Sequence, residues 1–466
     1  MTTTPAPAHL DELAAACRGT VLRPADDGYD QARHSWNAAV DNRPAVLVRC
    51  ADTADIATGV DFARRHGLAV SVRAGGHDVA GHPEVADSLM LDLSRLQGLT
   101  VDATARRATV GPGVTWVQFD RACVAKGLAV TGADVSTVGV VGTALSGGTG
   151  WLQRAFGFTC DNVRSAQVVL ADGRTVTADA ERHPELLWAL RGGGGNFGVV
   201  TALELELHPV PTVYAGTLLY PYRKARDVLA GFREFADSAP PELSLRATLI
   251  HWPPGAPEGP PRAAVTASYL GSADRARTVL EQLRRIGEPE LDLMRPVTYP
   301  ELQRNTEQAF ATGHATATGT EWLRTLDDVT LDSLVDLGAR MPTRHSLLSI
   351  HQLGGAIRRM PSAATSFGFH EAAYHLVAFS GGPAGIDLGR SREWIAETTT
   401  AVAACSAGGP YIGILDGTAT SDRVRSAYNP DTYRRLARIK ATYDADNLFR
   451  CNHNIPPEHD DTPAER

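Results

Sequence analysis

A histidine on a glycine-rich stretch is the first candidate for chemistry in this sequence. In RAGGHDVAG, residues 73–81, His77 follows Gly75 and Gly76 and precedes Asp78. A neutral imidazole is a nucleophile and a proton acceptor, whereas a loop histidine can also simply lie in solvent or cap a turn. The neighbouring glycines would let the backbone approach a ligand closely. The residue types alone leave both roles open.

A second glycine-rich stretch, DVSTVGVVGTALSGGTGW at residues 134–151, spreads its glycines among small residues. Glycine-rich turns leave several backbone N–H groups pointing into one concavity, which suits a pyrophosphate. A serine-hydrolase elbow is excluded because Ala144 stands where G-x-S-x-G requires glycine. We expect this stretch to bind a phosphate-bearing ligand, and the alternative is a run of purely structural turns.

The segment GGGNFG, residues 193–198, matches the G-x-G-x-x-G pattern of dinucleotide-binding proteins in form only. A Rossmann fingerprint follows a strand and opens a helix, whereas this segment follows the helical pattern PELLWALR and leads into a strand. We therefore reject a Rossmann domain. The remaining alternatives are a tight helix-to-strand connection and a close approach of backbone to a ligand.

Charge and composition exclude several classes of protein. The 466 residues carry a formal net charge of −8 with no concentrated block of Lys and Arg, so nucleic acid and membrane surfaces are not expected as partners. The start lacks a secretory pattern and no stretch of about 18 apolar residues occurs, so the expected location is the cytoplasm. The cysteines lie far apart without a C-x-x-C pair, so no metal site is expected. For Cys160 taken alone, the simplest interpretation is a buried thiol.

The elements that must position these residues follow an α+β pattern. AVLVR and AVSVR are predicted strands with a helix between them that ends near Gly67, so the loop of His77 follows a strand. QVVLADGRTVTA predicts a hairpin that turns at Asp172 and Gly173. VVTALELELHPV predicts a half-buried strand, and HSLLSIHQL and AAYHLVAF predict strands of a second domain.

Taken together, these segments resemble the berberine-bridge-enzyme-like flavoproteins, which have the vanillyl-alcohol-oxidase or PCMH type of FAD-binding fold. The resemblance is carried by YDQARHSWNAAVDNRPA, SVRAGGHDVAGH, TVGVVGTALSGGTGWLQRAFGFTCDN, LLWALRGGGGNFGVVT and YRRLARIKATYDADNLFRCNHNIPP. It implies a two-subdomain FAD-binding domain at residues 1–210 and a substrate domain at 211–415 with an antiparallel sheet backed by helices. Residues 416–466 would return to the FAD-binding domain.

The resemblance also implies how the cofactor is held. In that family the histidine after R-x-G-G is bonded to the 8α-methyl carbon of the flavin, and a subset adds a cysteine thioether at ring position C6. His77 and Cys160 match these positions, so the prediction is FAD attached at both. The other residues that the resemblance places at the cofactor are Arg73, Ala74, Gly75, Gly76, Asp78, Val138, Gly139, Gly142, Thr143, Gly148, Gly150, Val200, Asn452 and Asn454.

The activity implied by the resemblance is that of an oxidase. A base takes a proton from a substrate hydroxyl or amine, a hydride moves from the adjacent carbon to flavin N5, and O₂ reoxidises the flavin and leaves as H₂O₂. Val138 corresponds to a position where valine usually lets oxygen reach the flavin. Members with both links tend to take bulky sugars or polycyclic natural products. The expected partners are therefore a small-molecule substrate and O₂, with the chain a monomer or homodimer.

Tyr428, in RSAYNPDTY, matches a tyrosine that often faces the flavin in the family's oxidases, and it is the predicted base. Gln352 and Tyr374 are further catalytic candidates, next to His351 and His375. Adjacent strand residues point to opposite faces, so at most one of each pair meets the flavin. For each candidate, simple packing is the alternative.

Two other enzyme classes stay open at this point. One is a flavoprotein that performs an oxidative cyclisation or rearrangement in antibiotic or other natural-product biosynthesis. The other is a dehydrogenase that passes electrons to an acceptor other than O₂. Peroxide release with a panel of substrates and activity with a dye acceptor would separate these classes from a simple oxidase.

Overall fold

The computed structural model describes residues 5–210, 212–252, 259–304, 307–310 and 312–458. Three main sheets organise the chain: one small mixed sheet, one antiparallel sheet of five strands, and one large antiparallel sheet. The α+β class and the large antiparallel sheet agree with the prediction. No helix in the described part of the chain is long and apolar enough to cross a membrane.

The first subdomain carries the loop of His77 at the end of its sheet. Its elements are α1 Pro7–Ala16, β1 Thr20–Leu22, α2 Tyr29–Arg33, β2 Val46–Arg49, α3 Thr53–His66, β3 Val70–Arg73 and β4 Leu89–Asp92. The sheet order is β1-β2-β4-β3, with β2 and β3 each parallel to β4. The carboxylate of Asp52 caps α3, which ends at the left-handed Gly67 as predicted. The loop of His77 follows directly after β3, which is held in the sheet by its pairing with β4.

The second subdomain carries the other two glycine-rich segments. Its elements are β5 Leu99–Asp102, β6 Arg107–Val110, α4 Trp116–Val124, β7 Leu128–Ala129, α5 Val140–Leu145, α6 Gln153–Phe156, β8 Val163–Val169, β9 Thr175–Ala178, α7 Pro184–Leu190, β10 Val199–Glu206 and β11 His208–Pro209. The sheet order is β5-β6-β10-β8-β9. The predicted hairpin is confirmed as β8–β9, with Gly173 at φ +82°. Residues 193–198 connect α7 to β10, which confirms that they are not a Rossmann fingerprint.

The large sheet belongs to the region predicted as the substrate domain. Its strands and helices are β12 Val213–Pro221, α8 Ala225–Ser238, β13 Leu243–His251, β14 Pro261–Leu270, α9 Ala273–Arg285, β15 Leu291–Asp292, β16 Arg295–Val297, α10 Tyr299–Arg304, β17 His314–Leu323, α11 Asp328–Ala339, β18 Leu347–Gln352, β19 Tyr374–Pro383 and α12 Gly389–Ala401. The order is β15-β12-β14-β13-β18-β19-β17, with β16 also paired to β12. Side chains of α8, α9, α11 and α12 cover one face of the sheet with an apolar core. The opposite face is left to meet the glycine-rich loops.

The last part of the chain packs back onto the second subdomain. Its helices are α13 Ser421–Arg425 and α14 Pro430–Tyr443. Ile412, Leu415 and Leu436 share one core with the strands of the five-stranded sheet. The segment after α14 then runs beside the glycine-rich connection at 193–198, where the backbone N–H of Ile455 donates to Asn196 Oδ1 at 2.9 Å. The tail is thereby brought to the same place as the glycine-rich loops.

Candidate active site

A cavity of about 960 Å³ separates the free face of the large sheet from the glycine-rich loops. Its volume lies near the upper end of the range of about 300–1,000 Å³ that is usual for small-molecule and cofactor sites. The loop side is lined by most of the residues that the sequence placed at the cofactor, namely Ala74, Gly75, Gly76, His77, Asp78, Val138, Gly139, Gly142, Thr143, Val200 and Asn452.

Two glycine-rich loops touch backbone to backbone on this side. A Cβ atom built on Gly75 would lie 2.6 Å from the backbone nitrogen of Gly139, so a side chain at this position would force the loops apart. Gly76 has φ +72°, a conformation that residues with side chains rarely adopt. Gly75 is therefore required by the close approach of the two loops, and Gly76 by its own backbone conformation.

His77 faces the cavity from between these loops. Its imidazole stacks on the indole of Trp36, with ring centroids 4.2 Å apart and planes 16° apart. Shielding from bulk solvent lowers the pKa of His77 to about 4, so the imidazole is neutral at pH 7. Its Nε2 has no hydrogen-bond partner among the described residues. A neutral and partly unpartnered imidazole is suited to act as a nucleophile.

Cys160, the second predicted attachment point, does not line the cavity. Its side chain is completely buried in an aromatic cluster with Phe158, Trp322 and Phe367. Burial and the neighbouring Asp161 carboxylate raise the pKa of the thiol well above its ordinary value, so the nucleophilic thiolate is suppressed. The geometry therefore corrects the prediction of a thioether at Cys160, and the residue has the environment of a structural thiol.

Four other predicted cofactor residues also lie behind the cavity wall. Arg73 donates from Nη1 to the carbonyl of Ala32 at 3.0 Å. Its side chain packs against Gly76, where a Cβ atom would lie 3.0 Å from Arg73 Nε. Gly148 packs against the side chain of Thr159, and Gly150 against the carbonyl of Gly132. Asn454 is not among the residues that line the cavity, and its buried Oδ1 has no hydrogen-bond partner among the described residues. We therefore correct Arg73, Gly148 and Gly150 from contact residues to residues that support the loops, whereas the cofactor contact of Asn454 stays a prediction.

The sheet side of the cavity carries one polar row across neighbouring strands. Arg246 in β13 lies opposite His351 in β18, and His351 lies opposite His375 in β19. The row continues through Thr266 in β14 and Thr217 in β12. Because alternate residues share a face, the next rows facing the cavity are Thr248, Ser349 and Val377, and then Ile250, Leu347 and Phe379. The sheet side therefore changes from polar to apolar along the strands.

The two predicted catalytic residues on these strands point away from the cavity. Gln352 donates from Nε2 to the carbonyl of Ala236 in α8, and Tyr374 lies in the core beneath the helices with its ring 6.1 Å from that of Phe232. Burial raises the pKa of Tyr374 to about 12. One member of each adjacent pair does face the cavity, as expected, but the members are His351 and His375. Gln352 and Tyr374 are therefore wrong as catalytic residues.

Tyr428, the predicted base, is also outside the cavity wall. Its hydroxyl donates to the carbonyl of Gly192 at 3.1 Å, and its ring belongs to the core of the second subdomain. Burial raises its pKa above the ordinary value, which opposes action as a base. Tyr411 lines the cavity instead, where its hydroxyl accepts from the backbone N–H of Gly148 at 2.9 Å. The prediction of Tyr428 as the base is wrong on this geometry.

The two cavity-facing histidines differ in their freedom to meet a ligand. His375 is 1% exposed and its Nε2 is 2.6 Å from the hydroxyl of Thr320, whereas His351 retains 6% exposure. Burial, and then the charge of Arg246, lower the pKa of His375 to about 3 and that of His351 well below its ordinary value. Both imidazoles are neutral at pH 7. His351 is the one whose surface is open to the cavity.

Arg246 is held rigidly at the polar end of the cavity. Its guanidinium lies 3.7 Å from the ring centroid of Trp151 and pairs with Asp134 at 2.5 Å. Stacking and ion pairing together fix the planar group and satisfy part of its charge. Sequence reasoning missed Arg246, although the alternation of LSLRATLIH in residues 243–251 places Arg246, Thr248 and Ile250 on one face.

The residues on the loop side fit FAD. Open space lies over Gly142 and Gly195, because a Cβ atom on either would meet nothing within 4 Å, so the backbone there is accessible to a pyrophosphate. Asn452 contributes a buried Oδ1 without a partner among the described residues, which suits a ligand N–H group. Across the described ranges, no cluster of three His, Cys, Asp or Glu side chains could hold a metal ion.

Comparison with known proteins agrees with this geometry. Residues 44–179 match a family model described as FAD binding domain, and residues 410–456 match one described as berberine and berberine like. The chain is 29% identical to (R)-6-hydroxynicotine oxidase of Paenarthrobacter nicotinovorans, over 95% of this chain and 97% of that protein. The comparison therefore spans nearly the whole of both chains.

Solved structures show the same fold. The crystal structure of 6-hydroxy-D-nicotine oxidase from Arthrobacter nicotinovorans superposes with a TM-score of 0.85 at 26% identity, over 95% of this chain and 98% of that chain. Xylooligosaccharide oxidase from Myceliophthora thermophila, in complex with xylobiose, gives a TM-score of 0.86 at 21% identity, over 97% of this chain and 100% of that chain. The chain thus contains an FAD binding domain and a berberine-like segment, and the relatives and solved structures to which it is similar are FAD-linked oxidoreductases and oxidases.

Proposed function

We propose that this protein is an FAD-dependent oxidase that oxidises a hydroxyl-bearing carbon of a bulky substrate, with O₂ as the electron acceptor and H₂O₂ as a product. Its flavin would be attached through one bond, at His77. The observation that carries the proposal is that His77 and the neutral His351 line the same cavity from opposite sides. We assign FAD binding to residues 1–210 and 416–466, and substrate binding to 211–415.

FAD, when bound, supplies an acceptor for a hydride and returns the electrons to O₂. The two touching loops that contain Gly75 and Gly139 would bind the cofactor through their backbone. His77 would anchor it from the same side. The cavity volume leaves room above these loops for a substrate against the sheet, whose polar row and apolar rows could orient it.

His351 is our candidate for the group that takes the hydroxyl proton. Its Nδ1 is buried without a partner among the described residues, so any contact with a ligand falls to Nε2. A neutral imidazole at pH 7 has the lone pair that a base requires. Arg246 lies beside it in the next strand, where a fixed guanidinium can donate to an oxygen of the substrate.

The charges around the cavity favour a hydroxyl substrate over a cationic amine. Among the described lining residues the carboxylates are Asp78, Asp134 and Asp292, and each already has a partner, namely His82, Arg246 and Arg284. An ammonium group would therefore face Arg246 with no unpaired carboxylate to offset its desolvation. A sugar or phenolic natural product has the hydroxyl groups that the polar row can bond.

The test begins with the purified wild-type protein and a panel of xylobiose, cellobiose, vanillyl alcohol and 6-hydroxynicotine. Peroxide release is expected with xylobiose, cellobiose or vanillyl alcohol and not with the amine 6-hydroxynicotine, and acid precipitation should leave the flavin with the protein. Reduction of a dye acceptor without peroxide would instead indicate a dehydrogenase. A colourless acid pellet under a yellow supernatant would remove the covalent bond from the proposal.

The role of His351 is tested with the substrate found in that panel. His351→Gln should slow anaerobic flavin reduction by about 10²–10⁴-fold, the range usual for loss of a general base. Tyr374→Phe is the matched control, because Tyr374 lies on the covered face of the neighbouring strand, and its rate should stay near wild type. Equal rates in His351→Gln and wild type would reassign the base.

A further inference from the structure

Trp36 holds a position that the proposed function does not yet use. It lies between α2 and β2, far in sequence from the substrate domain, and its indole covers the imidazole of His77 at 4.2 Å with the planes only 16° apart. The side chain is 3% exposed and lines the cavity. Parallel stacking at this separation restricts tilting of the imidazole plane.

The indole is itself fixed from both sides of the cavity. The backbone N–H of Trp36 donates to the carbonyl of Gly76 at 2.8 Å, directly beside His77. Its Nε1 donates to the carbonyl of Phe310 at 2.9 Å, and its ring packs with Leu347 and Phe379 of the large sheet. The stacking surface is therefore anchored to both the loop and the sheet.

The next residue strengthens this anchoring. Asn37 donates from Nδ2 to the carbonyl of Val79 at 2.6 Å and to that of Thr316 in β17 at 3.0 Å. Its Oδ1 accepts from the backbone N–H of Thr316 at 2.9 Å. Because Val79 belongs to the His77 loop, residues 36 and 37 connect that loop to the large sheet. The orientation of Trp36 is thus determined by two parts of the fold.

We propose that Trp36 is the positioning residue for covalent attachment of the flavin at His77. Attack on a carbon requires the imidazole lone pair, which lies in the ring plane, to point at that carbon. A ring stacked on one face fixes this plane, excludes water from it and offers no hydrogen bond that would occupy the lone pair. The proposal rests on the covalent bond of the proposed function and adds the residue that makes its formation efficient.

The attachment step balances with the reactants already named. A bond forms between an imidazole nitrogen and the 8α carbon of the flavin, while one N–H bond of His77 and one C–H bond of the 8-methyl group break. The two protons and two electrons set free would pass to the flavin and then to O₂, which would leave as H₂O₂. Trp36 itself neither gains nor loses a proton or an electron.

The experiment measures attachment separately from binding and from turnover. Wild type, Trp36→Met and Trp36→Phe are prepared as full-length chains, incubated with FAD and sampled over time. Total bound flavin is measured by absorbance, and attached flavin by fluorescence of the acid-precipitated protein. Met fills much of the space without an aromatic face, whereas Phe keeps a face. We expect attachment to be about tenfold slower in Trp36→Met and nearly normal in Trp36→Phe, at similar total flavin.

Phe62→Leu is the matched control, because Phe62 in α3 is a buried aromatic residue of the same subdomain that contacts His66 instead of His77 and does not line the cavity. Its attachment rate should be that of wild type. Equal attachment rates in Trp36→Met and Trp36→Phe would overturn the proposal. Attachment in the control variant as slow as in Trp36→Met would overturn it too. If Trp36→Met does not fold, the rate of Trp36→Phe against Trp36→Leu decides in the same way. Wild type without acid-stable flavin would instead refute the covalent bond itself.

Discussion

Lys440 in α14 gives the clearest quantitative prediction for stability. It is fully buried, and its Nζ donates to the carbonyls of Asn196 at 2.7 Å and Phe449 at 2.9 Å while pairing with Asp444 at 2.6 Å. Asp444 also accepts from the backbone N–H groups of Leu448 at 2.8 Å and Phe449 at 2.9 Å. The ammonium group of Lys440 therefore joins three parts of the chain: the glycine-rich residues 193–198, helix α14 and the segment that follows α14.

Lys440→Met keeps most of the side-chain volume but leaves the Asp444 carboxylate buried without a counter-ion. Breaking a buried pair in this way typically costs about 3–5 kcal/mol in the free energy of unfolding. Lys440→Met together with Asp444→Asn removes both charges, so the remaining loss is that of hydrogen bonds, about 1–3 kcal/mol for the unpaired groups. The double variant should therefore be more stable than the single one.

The assay is urea unfolding followed by tryptophan fluorescence and by the change in flavin fluorescence as the attached flavin becomes exposed to solvent. In Lys440→Met the flavin signal should change at a lower urea concentration than in wild type, because Asn196 and the segment containing Asn452 lose their shared support. Arg438→Met on the same helix is the control, since its side chain is 69% exposed, and it should change stability by no more than about 0.5 kcal/mol. If the double variant is as unstable as Lys440→Met, the argument from an uncompensated charge is refuted.

Three further predictions concern other parts of the molecule. Cys160→Ala should leave acid-stable flavin at the wild-type level; loss of that flavin would restore Cys160 as an attachment point. Burial raises the pKa of Asp120 to about 8, so the folded state binds a proton that the unfolded state releases near pH 4, and stability should fall as pH rises from about 4 to 8. Asp120→Asn should remove this decline, since its amide can donate to the unpaired Oε1 of Gln303; urea titrations that still show the full decline would contradict the assignment. Val138→Leu should slow reoxidation by O₂ in stopped-flow measurements while anaerobic reduction stays near normal, and equal oxygen reactivity would remove Val138 from this role.

The sequence predicted the loops of the site better than its chemistry. Glycines report directly on backbone requirements, so the contact between the loops of Gly75 and Gly139 could be expected from RAGGHDVAG and the second glycine-rich stretch. Two strands of the large sheet were also predicted, from HSLLSIHQL and AAYHLVAF. These features depend on local sequence, which is why pattern reasoning reaches them.

The catalytic side of the cavity depends on information that local sequence does not contain. Alternation showed that only one of His351 and Gln352 could face the cofactor, but the side covered by α8 decides which one. Tyr428 stands in a segment that matches the family and yet bonds inward to Gly192. Cys160 likewise is separated from the cavity by aromatic packing between residues distant in the chain. Three-dimensional packing, absent from any short motif, settles each case.

The polar row across the large sheet has a consequence for how such a protein can diversify. Arg246, His351 and His375 are brought together by backbone pairing, which does not depend on the side chains that they carry. Exchanging Arg246 or His375, with the proposed base His351 kept, would alter which molecule is recognised, while the ladder of hydrogen bonds and the cofactor loops stay intact. The architecture therefore allows new specificities to arise by a few substitutions at alternate positions, without rebuilding the redox machinery on the other side.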